Sequence, residues 1–369
     1  MTDDLEATAR IARDLIRFPT VNWGMGRSEG ESEAAEYVAA ELTRLGLRPQ
    51  LFDSEPGRTS VVTRVPGADP SRPALVLHGH LDVVPAVAED WSVDPFAGEI
   101  RDGMLWGRGA VDMKDMDAMI LTALGDILEA GEQPARDLIV AFFADEENGG
   151  VYGAHHLVDT RPELFAGATE AISEVGGYSI DVGGRRAYLL QTGEKALVWI
   201  RLTARGTTAH GSRVIRDNAV TKLARAVVAI GELDWPVQLT TTTSALLGEL
   251  RALLDLPDAP PEEVIDGTGT AAGFLQATLR VTSNPTGLTS GYKHNVIPDR
   301  AEATIDVRPL PGQEDEVLAR IRAIAGDDVE VEVLHHDIGL EAPFEGPLVD
   351  EMVAALGRAD PGAPCCRTS

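Results

Sequence analysis

Two short, wholly apolar runs constrain this chain most: Ala74-Leu75-Val76-Leu77 and Leu138-Ile139-Val140-Ala141-Phe142-Phe143. Apolar runs without polar alternation read as strands covered on both faces, the condition of a parallel sheet with helices above and below. Helical spacing surrounds them. Leu5, Ala9, Ala12 and Ile16 mark one amphipathic segment, ended by Pro19. Ala34, Val38, Leu42 and Leu45 mark a second, stopped at Gly46. Met119, Ile120, Ala123, Leu124, Ile127 and Leu128 mark a third, closed by Gly131. Ser60-Val61-Val62-Thr63 reads as another strand, and Ala171-Ile172-Ser173 as a third buried one. Strands alternating with helices give an α/β domain with a mainly parallel sheet flanked by helices.

From about residue 192 the pattern changes to strand (Leu197 to Leu202), helix (218–232), two strands (near Ala277–Thr282 and Ala301–Val307), helix (314–325) and strand (Val329–Leu334). That βαββαβ order is the ferredoxin-like split unit. The stretch 239–273 has no place in it, and 345–357 reads as one more helix of the first domain. The expected division is therefore residues 1–191 plus 337–369 as one domain, with 192–336 inserted.

Composition narrows the function. With 32 Lys and Arg against 59 Asp and Glu, the net charge is −27. That charge repels phosphate backbones and anionic lipid, so neither nucleic acid nor membrane is an expected partner. No run approaches the ~18–20 apolar residues of a membrane span. Asp3, Asp4 and Glu6 stand where a signal peptide carries basic residues, so the expected location is cytoplasmic. The two cysteines, Cys365 and Cys366, come last. Any metal in the body of the chain must be held by His, Asp and Glu.

Such residues follow each strand. His78, His80 and Asp82 follow the first apolar run, Asp145, Glu146 and Glu147 the second, and Glu174 the third. Ligands of open α/β sheets sit at the carboxyl ends of strands. In extended chain Asp82 lies on the same side as His80 and can orient its ring, as carboxylates do behind metal-bound imidazoles. His78 points the same way one step deeper and reads as buried and hydrogen-bonded. Asp112, after Gly107-Arg108-Gly109, is either the N-cap of the following helix or a carboxylate bridging two cations. Three adjacent carboxylates at 145–147 repel one another, which a pair of cations would offset. One could then bind metal while its neighbour takes a proton from water. His155, His156, His294, His335 and His336 read as surface or structural.

Together, His80-x-Asp82-x-Val84, Gly107-Arg108-Gly109-x-x-Asp112-Met113-Lys114, Asp145-Glu146-Glu147-x-Gly149-Gly150 and Ser173-Glu174 resemble the ordered motifs of the M20 metallopeptidases. These are amidohydrolases of the aminoacylase, acetylornithine deacetylase, succinyl-diaminopimelate desuccinylase and glutamate carboxypeptidase kind. The resemblance implies two zinc ions, with Co2+ or Mn2+ as other occupants. It implies His80 and Glu174 on one ion, Glu147 on the second and Asp112 between them. Glu146 becomes the general base, Asp82 the orienter of His80, and a cis peptide follows Asp112. The inserted domain resembles the family's lid, through which a homodimer forms. Gly206-Thr207-Thr208-Ala209-His210-Gly211-Ser212 resembles the segment whose His210 stabilises the oxyanion. Asn295-Val296-Ile297-Pro298 and Asp306-Val307-Arg308 resemble the substrate-binding segment, so Asn295 is expected to bind substrate and Arg308 to grip the carboxylate of an N-acyl amino acid or short peptide. For Arg308 a salt bridge within the lid is the other reading.

The chain also departs from that pattern. Family members run on and supply a last His to the second zinc, and no His follows His336. With Cys365-Cys366 breaking the composition, the expectation is a frameshift or premature stop near Pro364 and a weakened second site. A weakly active, mononuclear or non-catalytic relative that only binds or dimerises is the alternative.

Overall fold

A computed structural model describes residues 6–24, 26–174 and 178–368. Asp3, Asp4 and Leu5 lie outside them. The chain divides into two compact units, Met1–Glu174 and Val175–Ser369.

The first unit contains α1 (Ala7–Ile16), α2 (Ser32–Arg44), β1 (Gln50–Glu55), β2 (Arg58–Val65), β3 (Ala74–His80), α3 (Lys114–Glu129), β4 (Leu138–Phe143) and β5 (Ala168–Ile172). Its five-stranded sheet has the order β1-β2-β4-β3-β5. β4, β3 and β5 are mutually parallel, β2 pairs antiparallel with β4, and β1 pairs antiparallel with β2. The sheet is thus mixed, with its parallel part built from the runs that carry the metal-type residues. Every residue of β4 is buried, as its unbroken apolar sequence requires. β5 differs from expectation. It lies at the sheet edge, and its residues alternate between half-buried and exposed, because only one neighbour covers it. The helices bury the expected stripes: Ile11, Ala12, Leu15 and Ile16 of α1, and Ala34, Val38 and Leu42 of α2.

On α3 the buried stripe includes two charges, Lys114 and Asp117. Lys114 Nζ donates to Leu15 O at 3.1 Å and Phe18 O at 2.7 Å, so a buried ammonium caps the end of α1. Burial lowers that ammonium to about 8. Gly79 lets α3 approach β3. A Cβ there would fall 2.2 Å from Asp117 Oδ1 and 2.9 Å from Met113 Cε.

The second unit contains β6 (Ser179–Val182), β7 (Arg185–Gln191), β8 (Leu197–Arg205), α4 (Ala219–Gly231), α5 (Thr241–Leu254), α6 (Pro261–Asp266), α7 (Ala272–Thr278), β9 (Thr282–Ser290), β10 (Arg300–Arg308), α8 (Glu314–Ala325), β11 (Val329–Asp337), α9 (Pro347–Ala359) and β12 (Cys365–Thr368). The antiparallel order β9-β10-β8-β11 is that of the ferredoxin-like unit. Leu223, Ala226 and Ile230 of α4 and Val317, Leu318 and Ile321 of α8 share one core with its strands. The strand expected near Ala277–Thr282 is instead the end of α7, with β9 starting at Thr282. The unplaced stretch folds as α5, α6 and α7 around a core of Leu246, Leu247, Leu250, Val264, Ile265 and Leu275, shared with Val182 and Leu189 of the β6–β7 hairpin. α9, expected with the first domain, falls in this unit. The segment expected to be out of register forms β12, which pairs in parallel with β7 from Tyr188↔Cys365 to Gln191↔Thr368.

Candidate metal centre

Because β4, β3 and β5 run parallel, their carboxyl ends lie at the same end of the sheet, and His80, the 145–147 turn and Glu174 meet there. His80 Nε2 lies 3.1 Å from Asp112 Oδ1, 3.2 Å from Glu174 Oε2 and 3.6 Å from Glu146 Oε2. Two ligand-like groups result, His80 with Glu146 and Glu174, and His80 with Asp112 and Glu147, each with its ligand atoms within 4.8 Å of one another.

Each member is delivered by a local device. The β3 backbone carries His80, whose own N–H points at Met113 Sδ, 3.2 Å away. Its Nδ1 lies 3.0 Å from the Asp82 carbonyl oxygen, which fixes the ring and turns Nε2 toward the carboxylates. Asp112 is not a helix cap. α3 begins at Lys114 without a side-chain cap, and the peptide between Asp112 and Met113 is cis. Asp145 adopts a left-handed conformation with φ 66°, tolerated best by Asn and Asp. The chain reverses there, so Asp145 is fully buried while the side chains of Glu146 and Glu147 remain accessible. The three carboxylates therefore do not share one cation. Asp145 meets Arg58, Asn22 and the Tyr152 amide instead.

Asp82 acts on His80 through its carbonyl oxygen, 3.0 Å from Nδ1, and through its carboxylate, 3.5 Å away. That carboxylate accepts the amides of Glu146 at 3.0 Å and Glu147 at 3.1 Å, and so holds the short 3-10 turn Glu146–Asn148 by its N-terminus.

Burial alone would lower the His80 imidazole. Hydrogen bonds to Asp112, Asp82 and Glu174 outweigh it and hold the proton well above the ordinary range. Although the Glu146 side chain stays open to solvent on one side, desolvation by the protein packed around it, reinforced by neighbouring carboxylates and opposed by His80, pushes it up to about 7. Burial and then Asp112 do the same to Glu147, whose Oε1 accepts the Val84 amide at 3.0 Å. Asp112 is lowered, first by its bond to His80. One imidazole proton thus stands among several carboxylates, where a divalent cation would neutralise more charge. This donor set, imidazole nitrogen and carboxylate oxygen without thiolate, fits zinc, cobalt or manganese. His78 is half-buried, with its ring centroid 5.7 Å from that of Phe143.

The remaining expected residues lie in the second unit. His210 is exposed on a two-residue ladder, Ala209–His210 with Val296–Ile297, and its Nε2 lies 3.5 Å from Asn295 Nδ2. Arg308 donates through Nε and Nη2 to the two oxygens of Asp306 at 2.8 and 3.0 Å, so its fork is engaged within its own strand. It lines a cavity of ≈ 290 Å³ together with Lys195, Phe274 and Thr282. His335 packs against Trp199 and pairs with Asp337, a structural role.

Sequence reading missed Asn22, Glu31 and Arg58. The signal for Arg58 was present, as an arginine opening a strand that continues Thr-Ser-Val-Val. Nothing local marks Asn22.

Comparison with known proteins gives a match to the family described as Peptidase family M20/M25/M40 over residues 76–367. Aminoacylase-1 of Sus scrofa is 33% identical over 225 residues, 60% of this chain and 52% of that protein. The chain thus spans about half the length of that relative. An M20 family metallo-carboxypeptidase from Sulfolobus solfataricus superposes with a TM-score of 0.76 at 20% identity, over 99% of this chain and 86% of its own. A dinuclear metal binding peptidase of the M20 family from Bacillus subtilis superposes with a TM-score of 0.56 at 14% identity, over 98% and 81%.

Proposed function

The chain belongs to peptidase family M20/M25/M40, and from that premise we propose that it hydrolyses the amide bond of N-acyl amino acids or dipeptides with the help of bound zinc. The observation that carries this reading is the convergence of His80, Asp112, Glu146, Glu147 and Glu174 at one end of the parallel strands. A non-catalytic module would have no need of it. His80, Asp112 and Glu174 would hold one ion and Asp112 and Glu147 a second. Glu146, at 3.6 Å the longest of the three carboxylate contacts to His80 Nε2, is left free for proton transfer. When bound, such a pair acidifies water and polarises the scissile carbonyl.

The chain's own residues do the rest. Glu146, left unligated beside the ligands, takes a proton from the attacking water as the water oxygen bonds to the carbonyl carbon. It returns that proton to the nitrogen as the C–N bond breaks. His210 and Asn295 are assigned to the oxyanion and the substrate, and Arg308 to a substrate carboxylate. For that, Arg308 must be shared with or released from Asp306. Self-association of the full chain through the second unit belongs to the same proposal.

The test is Glu146→Gln, which keeps the shape and removes the proton acceptor. Turnover of acetylated amino acids or dipeptides is expected to fall by about 10²–10⁴ with metal content unchanged. Undiminished turnover would refute the role of Glu146.

A further inference from the structure

Asn22 is buried beside the metal cluster, yet its side-chain hydrogen bonds reach none of the cluster's five side chains. Its amide is fully used. Nδ2 donates to Asp82 Oδ2 at 2.8 Å and to Asp145 Oδ1 at 3.0 Å, and Oδ1 accepts the Gly24 amide at 3.0 Å. Ionised carboxylates only accept and a backbone N–H only donates, so a single orientation of the amide satisfies all three partners.

We propose that Asn22 is a positioning residue: its amide clamps Asp82 to Asp145 and so fixes the Glu146–Asn148 turn relative to His80. The clamp has two arms. On one side the Asp82 carboxylate accepts the amides of Glu146 and Glu147, while the Asp82 carbonyl oxygen accepts from His80 Nδ1. One residue thereby locates a metal-ligating imidazole, a metal-ligating carboxylate and the proton-transfer carboxylate. On the other side Asp145, the pivot of the turn, is anchored by Arg58 and by the Tyr152 amide, and Arg58 is itself tied to Glu31 and Ser28. Without the amide, two buried carboxylates face each other with no donor between them, and the turn keeps its amide bonds to Asp82 but loses the tie that fixes Asp82 against its pivot, Asp145. The backbone of Asn22 is held independently, since its N–H donates to Val83 O at 2.9 Å. A side-chain substitution therefore leaves the local chain path tied.

The inference rests on the proposed metal site, and its test separates the two. Zinc affinity of the full chain is measured by competition with a chromophoric chelator for wild type, Asn22→Ala, Asn22→Asp and a control, Leu42→Ala, which truncates a buried side chain on α2 away from the cluster. Loss of this outer partner is expected to weaken zinc binding by about 10–100-fold in both Asn22 variants, with kcat falling and KM little changed. The aspartate has the shape of asparagine but cannot donate when ionised, so its failure marks the donor and not the volume. Leu42→Ala is expected to lower thermal stability and to leave zinc affinity nearly as in wild type. If the alanine chain does not fold, Asn22→Ser, with one donor for two carboxylates, is read against Leu42→Ala in its place. Wild-type zinc affinity in Asn22→Ala or Asn22→Asp overturns the proposal, as does an equal loss in Leu42→Ala. A wild-type chain that binds no zinc overturns the metal reading beneath it.

Discussion

Arg58→Met is the sharpest probe of the scaffold behind the site. The Arg58 side chain is 10% exposed, and those of Glu31 and Asp145, its two acidic partners, are 0% exposed. Methionine keeps the stem volume and removes the cation. Breaking a buried pair from one side costs about 3–5 kcal/mol, because the other charge is left uncompensated. The low end applies here. Burial and the charge of Asp82 raise Glu31 to about 8 against the pull of Arg58, so Glu31 can stay neutral, and Asp145 keeps its bonds to Asn22 and Tyr152. A loss of about 3 kcal/mol in a unit of this size lowers Tm by roughly 6–12 °C. Thermal unfolding of the metal-free chain, followed by circular dichroism, reads it. Arg58→Met combined with Asp145→Asn removes the stranded charge, and more than half of the loss is expected to return. A single-variant loss under about 1 kcal/mol, the range of exposed pairs, or a double variant no more stable than the single, would refute the reasoning.

Two further outcomes follow from the same geometry. Both ligand-like groups contain His80, so His80→Ala is expected to cost more than the roughly 100-fold in metal affinity that loss of an outer partner costs; chelator competition reads this, and near wild-type affinity would contradict it. The raised His80, Glu146 and Glu147 bind more protons in the folded chain than in the unfolded one. The contribution of His80 to metal-free stability is thus full below about pH 6.5 and is lost as pH rises toward its folded value. The two glutamates, unfolded near 4.3, lose theirs between there and about 7. Tm of the metal-free chain should accordingly fall from pH 5 to 8 while zinc affinity rises, with protons released on binding; calorimetry in buffers of different ionisation enthalpy measures that release, and a pH-independent affinity would count against it.

The sequence made the centre of the first unit legible because two apolar runs can only be strands and the residues after them are chemically distinctive. The ferredoxin-like order of the second unit was legible in the same way, from the spacing of its strands and helices. What escaped was long-range. Whether Ala168–Ile172 is covered on two sides or one depends on sheet order, which no local pattern carries. The helices between residues 241 and 278 bury their faces on a hairpin some sixty residues earlier. Asp145 reads as one of three equal carboxylates, and only its left-handed backbone turns it inward to Arg58 and Asn22. Buried polar clamps of this kind are assembled from distant segments, here 22, 58, 82 and 145, and leave no periodic trace.

The central claim is that these side chains hold metal for hydrolysis, and the metal content of the purified full chain tests it most directly. After incubation with zinc and exhaustive dialysis, elemental analysis is expected to find at least one equivalent per chain, with a second to the extent that Asp112 and Glu147 retain it. His80→Ala, treated alike, should retain far less. A wild-type chain that retains no more zinc than His80→Ala would contradict the account.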